Sequence, residues 1–162
     1  MGSCRHRLLK EVNEIFADFI LKPTEVDLLQ WEATISGPPG TPYEGHFFHL
    51  TLRCPPTYPI EPPSVVFRTP IFHPNIHWRT GELCIDILKT EWSPAWSLST
   101  VVRAVLAVLA SPNGDSPLNC DAGSLVRKGH TRAFESMARY YAVEKGAEKP
   151  NTWPVLEDSV SQ

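Results

Sequence analysis

The stretch FHPNIHWRTGELCIDIL, residues 72–88, sets a His-Pro-Asn tripeptide (His73, Pro74, Asn75) ahead of a single cysteine, Cys84, with an acidic residue, Asp86, two positions beyond it. Taken alone, Cys84 has two readings. Free cysteine is among the most often buried residue types, so it can be core filler. It can also be a nucleophile: a thioester-forming cysteine needs access to a carbonyl and a nearby donor for the oxyanion, and a side-chain amide such as that of Asn75 can serve. His73 offers a second donor. By itself, however, the tripeptide reads equally well as a proline-centred turn whose His73 and Asn75 satisfy local backbone groups. The rest of the chain has to decide.

Ahead of this stretch, Leu8, Val12, Ile15, Phe16 and Phe19 fall at helical spacing, which predicts an amphipathic helix across the first 20 residues. The pattern then changes to short alternating runs: Trp31, Ala33, Ile35; then Phe48, Leu50, Leu52, Cys54; then VVF at 65–67. The turn clusters GPPGTPYEG and PPTYPIEPP separate them, so an antiparallel meander of three or four strands is expected. Beyond Ser97, SLSTVVRAVLAVLAS reads as a nearly all-apolar helix with a serine cap and a stop at Pro112, followed by helices near 121–128 and 131–145. Helix, strands, then helices define an α+β class. The last segment, GAEKPNTWPVLEDSVSQ, has little periodicity and is expected to be a mobile tail.

Composition restricts the function. At 162 residues and 42% hydrophobic content the chain suits one domain with a sizeable core. A formal net charge of −3 and the lack of a basic tract argue against a nucleic-acid binder. The longest apolar run, VVRAVLAVLA at 101–110, is interrupted by Arg103 and is far shorter than the roughly 20 residues a membrane span needs. The N-terminus, MGSCRHRLLKE, becomes charged at once and has no signal-peptide core, so an intracellular protein is expected. Cys4, Cys54, Cys84 and Cys120 are widely spaced and form neither a CxxC pair nor a zinc-ribbon pattern. No metal or cofactor is expected.

Five motifs now combine: HPNI (73–76), TGELCIDIL (80–88), WSP (92–94), GPPGTPYEGHFF (37–48) and YPIEPP (58–63). Together they resemble the ubiquitin-conjugating enzymes, the E2 family, over about residues 3–145. The resemblance implies the UBC fold: an N-terminal helix, a four-stranded antiparallel meander and C-terminal helices, four helices in all, with a catalytic core at 3–146 and a tail at 147–162. It implies that Cys84 carries the C-terminal glycine of ubiquitin as a thioester. It gives Asn75 the oxyanion and the bracing of the active-site loop, gives His73 a mainly structural part and no role as general base, and makes Asp86, Asn113, Asp115 and Ser116 supporting residues. It also assigns docking positions for the E1 activating enzyme and RING-type E3 ligases to His6 and Arg7, Ile60, and Ser93, Pro94 and Ala95, and suggests a cis bond at Tyr58-Pro59.

Two departures point to one branch. Eight residues, IHWRTGEL, separate Asn75 from Cys84, one more than in many E2 enzymes, and PNGDSPLNCDAG places Ser116 where many relatives have an acidic residue. With WSPAW, these resemble the peroxisomal, peroxin-4-type E2 enzymes. That branch is held at the cytosolic face of the peroxisomal membrane by a membrane-anchored docking peroxin and modifies the import receptor for matrix proteins. A general cytosolic E2 and a catalytically inactive E2-like module are the alternatives; the second typically lacks the cysteine. A cysteine hydrolase would need the His73 imidazole within reach of the Cys84 sulfur, and a zinc site from His73, His77 and Cys84 lacks a fourth ligand at motif spacing.

Overall fold

A computed structural model describes residues 2–154, without the side chains of residues 2, 3 and 85–87. The elements run α1 (Gly2–Glu11), β1 (Phe19–Pro23), β2 (Gln30–Ser36), β3 (Phe47–Arg53), β4 (Ser64–Phe67), α2 (Ile85–Glu91), α3 (Leu98–Ala110), α4 (Cys120–Arg127) and α5 (Thr131–Lys145). The four strands form one antiparallel sheet in chain order. Phe19 pairs with Ile35, Ile35 with Phe48 and Leu50 with Phe67, so one face of the sheet carries a continuous set of large apolar side chains. Trp31, Ile35, Phe48, Leu50 and Leu52 are all buried.

Helix α3 fills the core from the other side through Leu98, Val101, Val102, Val105 and Leu109. Each such side chain contributes about 1.5–3 kcal/mol on full burial before entropy is subtracted, so this helix anchors the fold. Its start is fixed by a capping box: the Ser97 side chain accepts from the Thr100 N–H, and the Thr100 hydroxyl accepts from the Ser97 N–H. It stops at Ser111, directly before Pro112.

Three expectations change. The opening helix ends at Glu11, not near residue 20, and Ile15 is 94% exposed. Phe19 opens strand β1, where Phe19 and Leu21 alternate inward against β2, and ladder pairing outweighs a helical spacing that was coincidental. Phe16 still reaches the core edge by stacking on Phe19 at 4.5 Å. Second, the short helix α2 follows Cys84 directly, making five helices among the described residues, one more than expected. Third, the segment after α5 is tied down over its first part. The Ala147 N–H donates to the Phe47 carbonyl at 2.8 Å, and Trp153 meets the Phe47 ring edge-on at 4.8 Å. Residues 155–162 of the expected tail lie outside the described residues. The Tyr58-Pro59 bond is cis, as expected.

Candidate active site

The tripeptide leads into a hairpin whose return strand carries Cys84. Ile76 bridges Leu83, Val66 bridges Glu82, and the His77 N–H donates to the Glu82 carbonyl at 2.9 Å. The turn is closed by Gly81 at φ 74°, where a Cβ would stand 1.9 Å from the Phe67 carbonyl oxygen, so only glycine lets the hairpin lie against β4. At its tip the His77 ring accepts from the N–H groups of Arg79 and Thr80, and Trp78 turns onto Tyr141 of α5 at 4.6 Å. The long IHWRTGEL segment is thereby an ordered hairpin seated on the C-terminal helices.

Asn75 joins three parts of the site. Its backbone carbonyl accepts the Cys84 N–H at 3.0 Å. Its side-chain amide grips Asn113 from both sides, Nδ2 donating to the Asn113 carbonyl and Oδ1 accepting the Asn113 N–H, each at 3.0 Å. Neighbouring Pro74 offers its carbonyl to the N–H groups of Leu118 and Asn119 at 2.8 and 3.1 Å. The loop between α3 and α4 is therefore held at both ends by the tripeptide. An asparagine amide has two N–H bonds, and the pairing with Asn113 uses one. The second N–H is not used by that pairing.

His73 is fully buried and spends both ring nitrogens on backbone: Nε2 donates to the Val108 carbonyl at 2.9 Å and Nδ1 accepts the Asn75 N–H at 3.0 Å. That arrangement fixes the tautomer. Burial pushes its pKa down to about 4, so the ring is neutral near pH 7. With neither nitrogen free, His73 is not placed to act as the base of a cysteine hydrolase.

The four cysteines have different settings. Cys4 and Cys54 are buried, and burial, with the Glu11 carboxylate as a lesser cause, pushes the Cys54 thiol up to about 12. Cys120 is exposed, and Cys84 is half-buried at the entrance to α2. Only Cys84 lies directly on the tripeptide.

The other predicted site residues fall in several places. The Asp115 N–H donates to the Asn113 side chain at 2.9 Å and its carboxylate is exposed. Ser116 is exposed and sits at φ 50°, a left-handed conformation costing a non-glycine residue roughly 1–2 kcal/mol. The loop can hold it there because Pro117 packs on Gly123 of α4, where a Cβ would come within 2.5 Å of the proline ring. The Asp86 side chain lies outside the described residues. On the distal edge, His6 is exposed, Ile60 is 74% exposed, and Pro94 and Ala95 are exposed, whereas Ser93 is half-buried with its hydroxyl accepting the Ala95 N–H. Arg7 is committed internally: it donates to the carbonyls of Pro94, Ala95 and Trp96 at 3.1, 3.4 and 2.7 Å.

Sequence reasoning overlooked Glu11. Its carboxylate, 5% exposed, accepts from Arg7 Nε at 3.2 Å, the Tyr58 hydroxyl at 2.8 Å and the Leu98 N–H at 2.8 Å. The available signal was its place on the helix face shared with Cys4 and Leu8, where a carboxylate demands partners.

A family model described as "Ubiquitin-conjugating enzyme" matches residues 6–142. The chain belongs to the ubiquitin-conjugating enzyme (E2) family. Within it, the chain is 48% identical over 147 residues to Protein PEROXIN-4 of Arabidopsis thaliana, covering 87% of this chain and 94% of that protein. It is 51% identical over 140 residues to ubiquitin-conjugating enzyme E2 pex4 of Dictyostelium discoideum, covering 83% and 94%. Among solved structures it superposes on the H. polymorpha ubiquitin conjugating enzyme Pex4p, crystallised with the soluble domain of Pex22p, with a TM-score of 0.83 at 31% identity, over 90% of this chain and 100% of that one. It is thus of the peroxin-4 type. No helix of the described residues is long and apolar enough to cross a membrane.

The buried neutral state of His73 has a pH signature. The unfolded chain takes up a proton near the ordinary value of 6.5 that the folded chain refuses until about 4, so stability is full above 6.5 and falls as pH drops through this window. Denaturant unfolding at a series of pH values should show about 1.5 kcal/mol lost between pH 6.5 and 5 from this residue, and His73→Gln should flatten the slope. Parallel slopes for the two proteins would show that His73 is not held neutral.

Proposed function

We propose that Cys84 accepts ubiquitin from the E1 enzyme as a thioester and passes it, with a RING-type E3, to the peroxisomal import receptor for matrix proteins. The observation that supports this most is the Asn75 amide, fixed by Asn113 beside a half-buried Cys84 with one N–H left over. In the first step the Cys84 thiolate attacks the carbonyl carbon of the E1 thioester, its S–C bond forms, and the E1 cysteine leaves as thiolate. No strong base is required, which agrees with the full engagement of His73. In the second step the acceptor attacks the same carbonyl carbon. The tetrahedral oxyanion meets the spare Asn75 N–H, and collapse expels the Cys84 thiolate.

A docking peroxin anchored in the peroxisomal membrane would hold the enzyme there; the support is the similarity to Pex4p, whose solved structure includes the soluble domain of Pex22p. The E1 and E3 surfaces are read as α1 with the loops carrying Ile60 and Pro94. Ile60 is the apolar anchor of that edge.

The acceptor is read from Ser116. Relatives with an acidic residue there can orient and help deprotonate a lysine. A hydroxyl cannot. A thiol of pKa about 8.5 needs less help than an ammonium of about 10.4, so the site favours a cysteine acceptor.

Incubation with E1, ATP and ubiquitin should give a reductant-sensitive adduct, and Cys84→Ser should convert it to a thiol-resistant oxyester. An adduct on Cys120 or another cysteine would refute the assignment. Once charged, Ser116→Asp should discharge several-fold faster to free lysine and at an unchanged rate to free cysteine, in single-turnover comparison with the parent. Acceleration of both acceptors, or of neither, would remove Ser116 from acceptor choice.

A further inference from the structure

Glu11 is unlike every other carboxylate described, because it is buried and joins three segments distant in sequence. Its Oε1 accepts from Arg7 Nε and the Tyr58 hydroxyl, and its Oε2 from the Leu98 N–H at the first turn of α3. Arg7, held by Glu11 one helical turn away, extends its two remaining nitrogens to the carbonyls of residues 94–96. Tyr58 in turn packs on Trp92 at 5.9 Å between ring centres, and the Trp92 indole N–H is shared by the carbonyls of Pro59 and Ile60 at 3.1 and 3.3 Å. Burial and the Glu11 bond hold the Tyr58 phenol above the ordinary tyrosine pKa, so it remains a donor.

Those three segments are α1, the loop of Ile60 and the loop of Pro94, the parts read above as the partner-docking edge. Two of them are loops, and their side chains at the edge are short or rigid: Pro94, Ala95, Pro59. Such loops hold a fixed separation only if their backbone is tied. The ties seen here run through Arg7, Glu11, Tyr58 and Trp92. A buried carboxylate with donors from three segments favours one arrangement, because withdrawing any donor leaves charge under-satisfied in a place water does not reach.

We propose that Glu11 is the positioning residue of the docking edge: it sets the separation of the Ile60 and Pro94 loops before a partner arrives, and Arg7 serves this internal function in preference to a direct ion pair with the partner. This rests on the reading of that edge as the E1-binding surface. Because the Glu11 side chain is only 5% exposed, it has almost no surface to offer a partner, and its effect on binding passes through the loops. Cys84, Asn75 and Asn113 lie outside the network, so the unassisted chemistry is independent of it.

Glu11→Gln preserves shape but turns an amide donor or a weaker acceptor toward the Leu98 N–H. Steady-state charging by E1 should show KM for this enzyme as E1 substrate raised about tenfold, the scale of a lost charge-assisted hydrogen bond. The maximal rate and the unassisted discharge of the charged form to free lysine should stay within about twofold, since neither uses the edge. Should Glu11→Gln not fold, Tyr58→Phe removes one donor with its ring retained and should raise KM in the same direction, about threefold. Ile35→Val, a buried change on β2 away from the edge, supplies a destabilised control whose KM should not move. Unchanged KM in the Glu11 and Tyr58 variants, or a KM rise matched by Ile35→Val, would overturn the proposal and make the network a stability device alone. If the parent itself formed no thioester at Cys84, the reading of the function would fall instead, a result distinguishable from either.

Discussion

The Asn75 amide is the contact on which the site depends. A side-chain amide that both donates to and accepts from one backbone unit, Asn113, reproduces the pairing of two strands without needing a strand. It binds the loop between α3 and α4 to the segment that carries Cys84. Pro74 strengthens the arrangement from the next residue, because its carbonyl takes two N–H groups at the far end of the same loop. Asn75, Pro74 and Asn119 are buried, and leaving their groups unpaired costs about 1–3 kcal/mol each, so the loop has little freedom to depart. That rigidity explains how Ser116 can be kept at φ 50° without glycine.

Helix α3 connects this site to the opposite edge. At its start, the Leu98 N–H is held by Glu11, and near its end the Val108 carbonyl is held by His73, whose other nitrogen fixes Asn75. Between these points the helix is buried through Leu98, Val101, Val102, Val105 and Leu109. The tripeptide and the edge that carries Ile60 and Pro94 therefore take their positions from one packed element. Two buried polar residues, one at either end of the helix, set the register of the loops that meet there.

The sequence exposed some of this well and other parts poorly. Strands β2, β3 and β4 and helices α3, α4 and α5 were legible because their periodicities of 2 and 3.6 are bounded by proline, glycine and serine signals. The start of the sheet was misread because Phe16 and Phe19 fall at helical spacing, although Phe19 belongs to a strand selected by pairing with Ile35, which no local pattern reveals. Helix α2 was missed because seven residues are too few to show a period. The motif residues His73, Asn75 and Cys84 were found as a linear pattern, and the structure adds that Asn113 completes their bonding. Arg7 was assigned to the docking positions by resemblance, and its carbonyl acceptors, nearly ninety residues away, had no signal in the sequence. Glu11 showed only its place on the Cys4 and Leu8 face of the helix, because two of its three donors, Tyr58 and Leu98, are brought to it by tertiary folding.

In the proposed function the Asn75 amide has two tasks: it braces the loop between α3 and α4, and it keeps one N–H for the oxyanion formed when the thioester is attacked. Single-turnover discharge of the purified, ubiquitin-charged Asn75→Ala protein to free lysine, beside the parent charged in the same way, measures the second task. Charging should persist, and discharge should slow on the order of 10²-fold, as for the removal of one oxyanion donor. Equal discharge rates for the two proteins would remove the Asn75 amide from the transfer step.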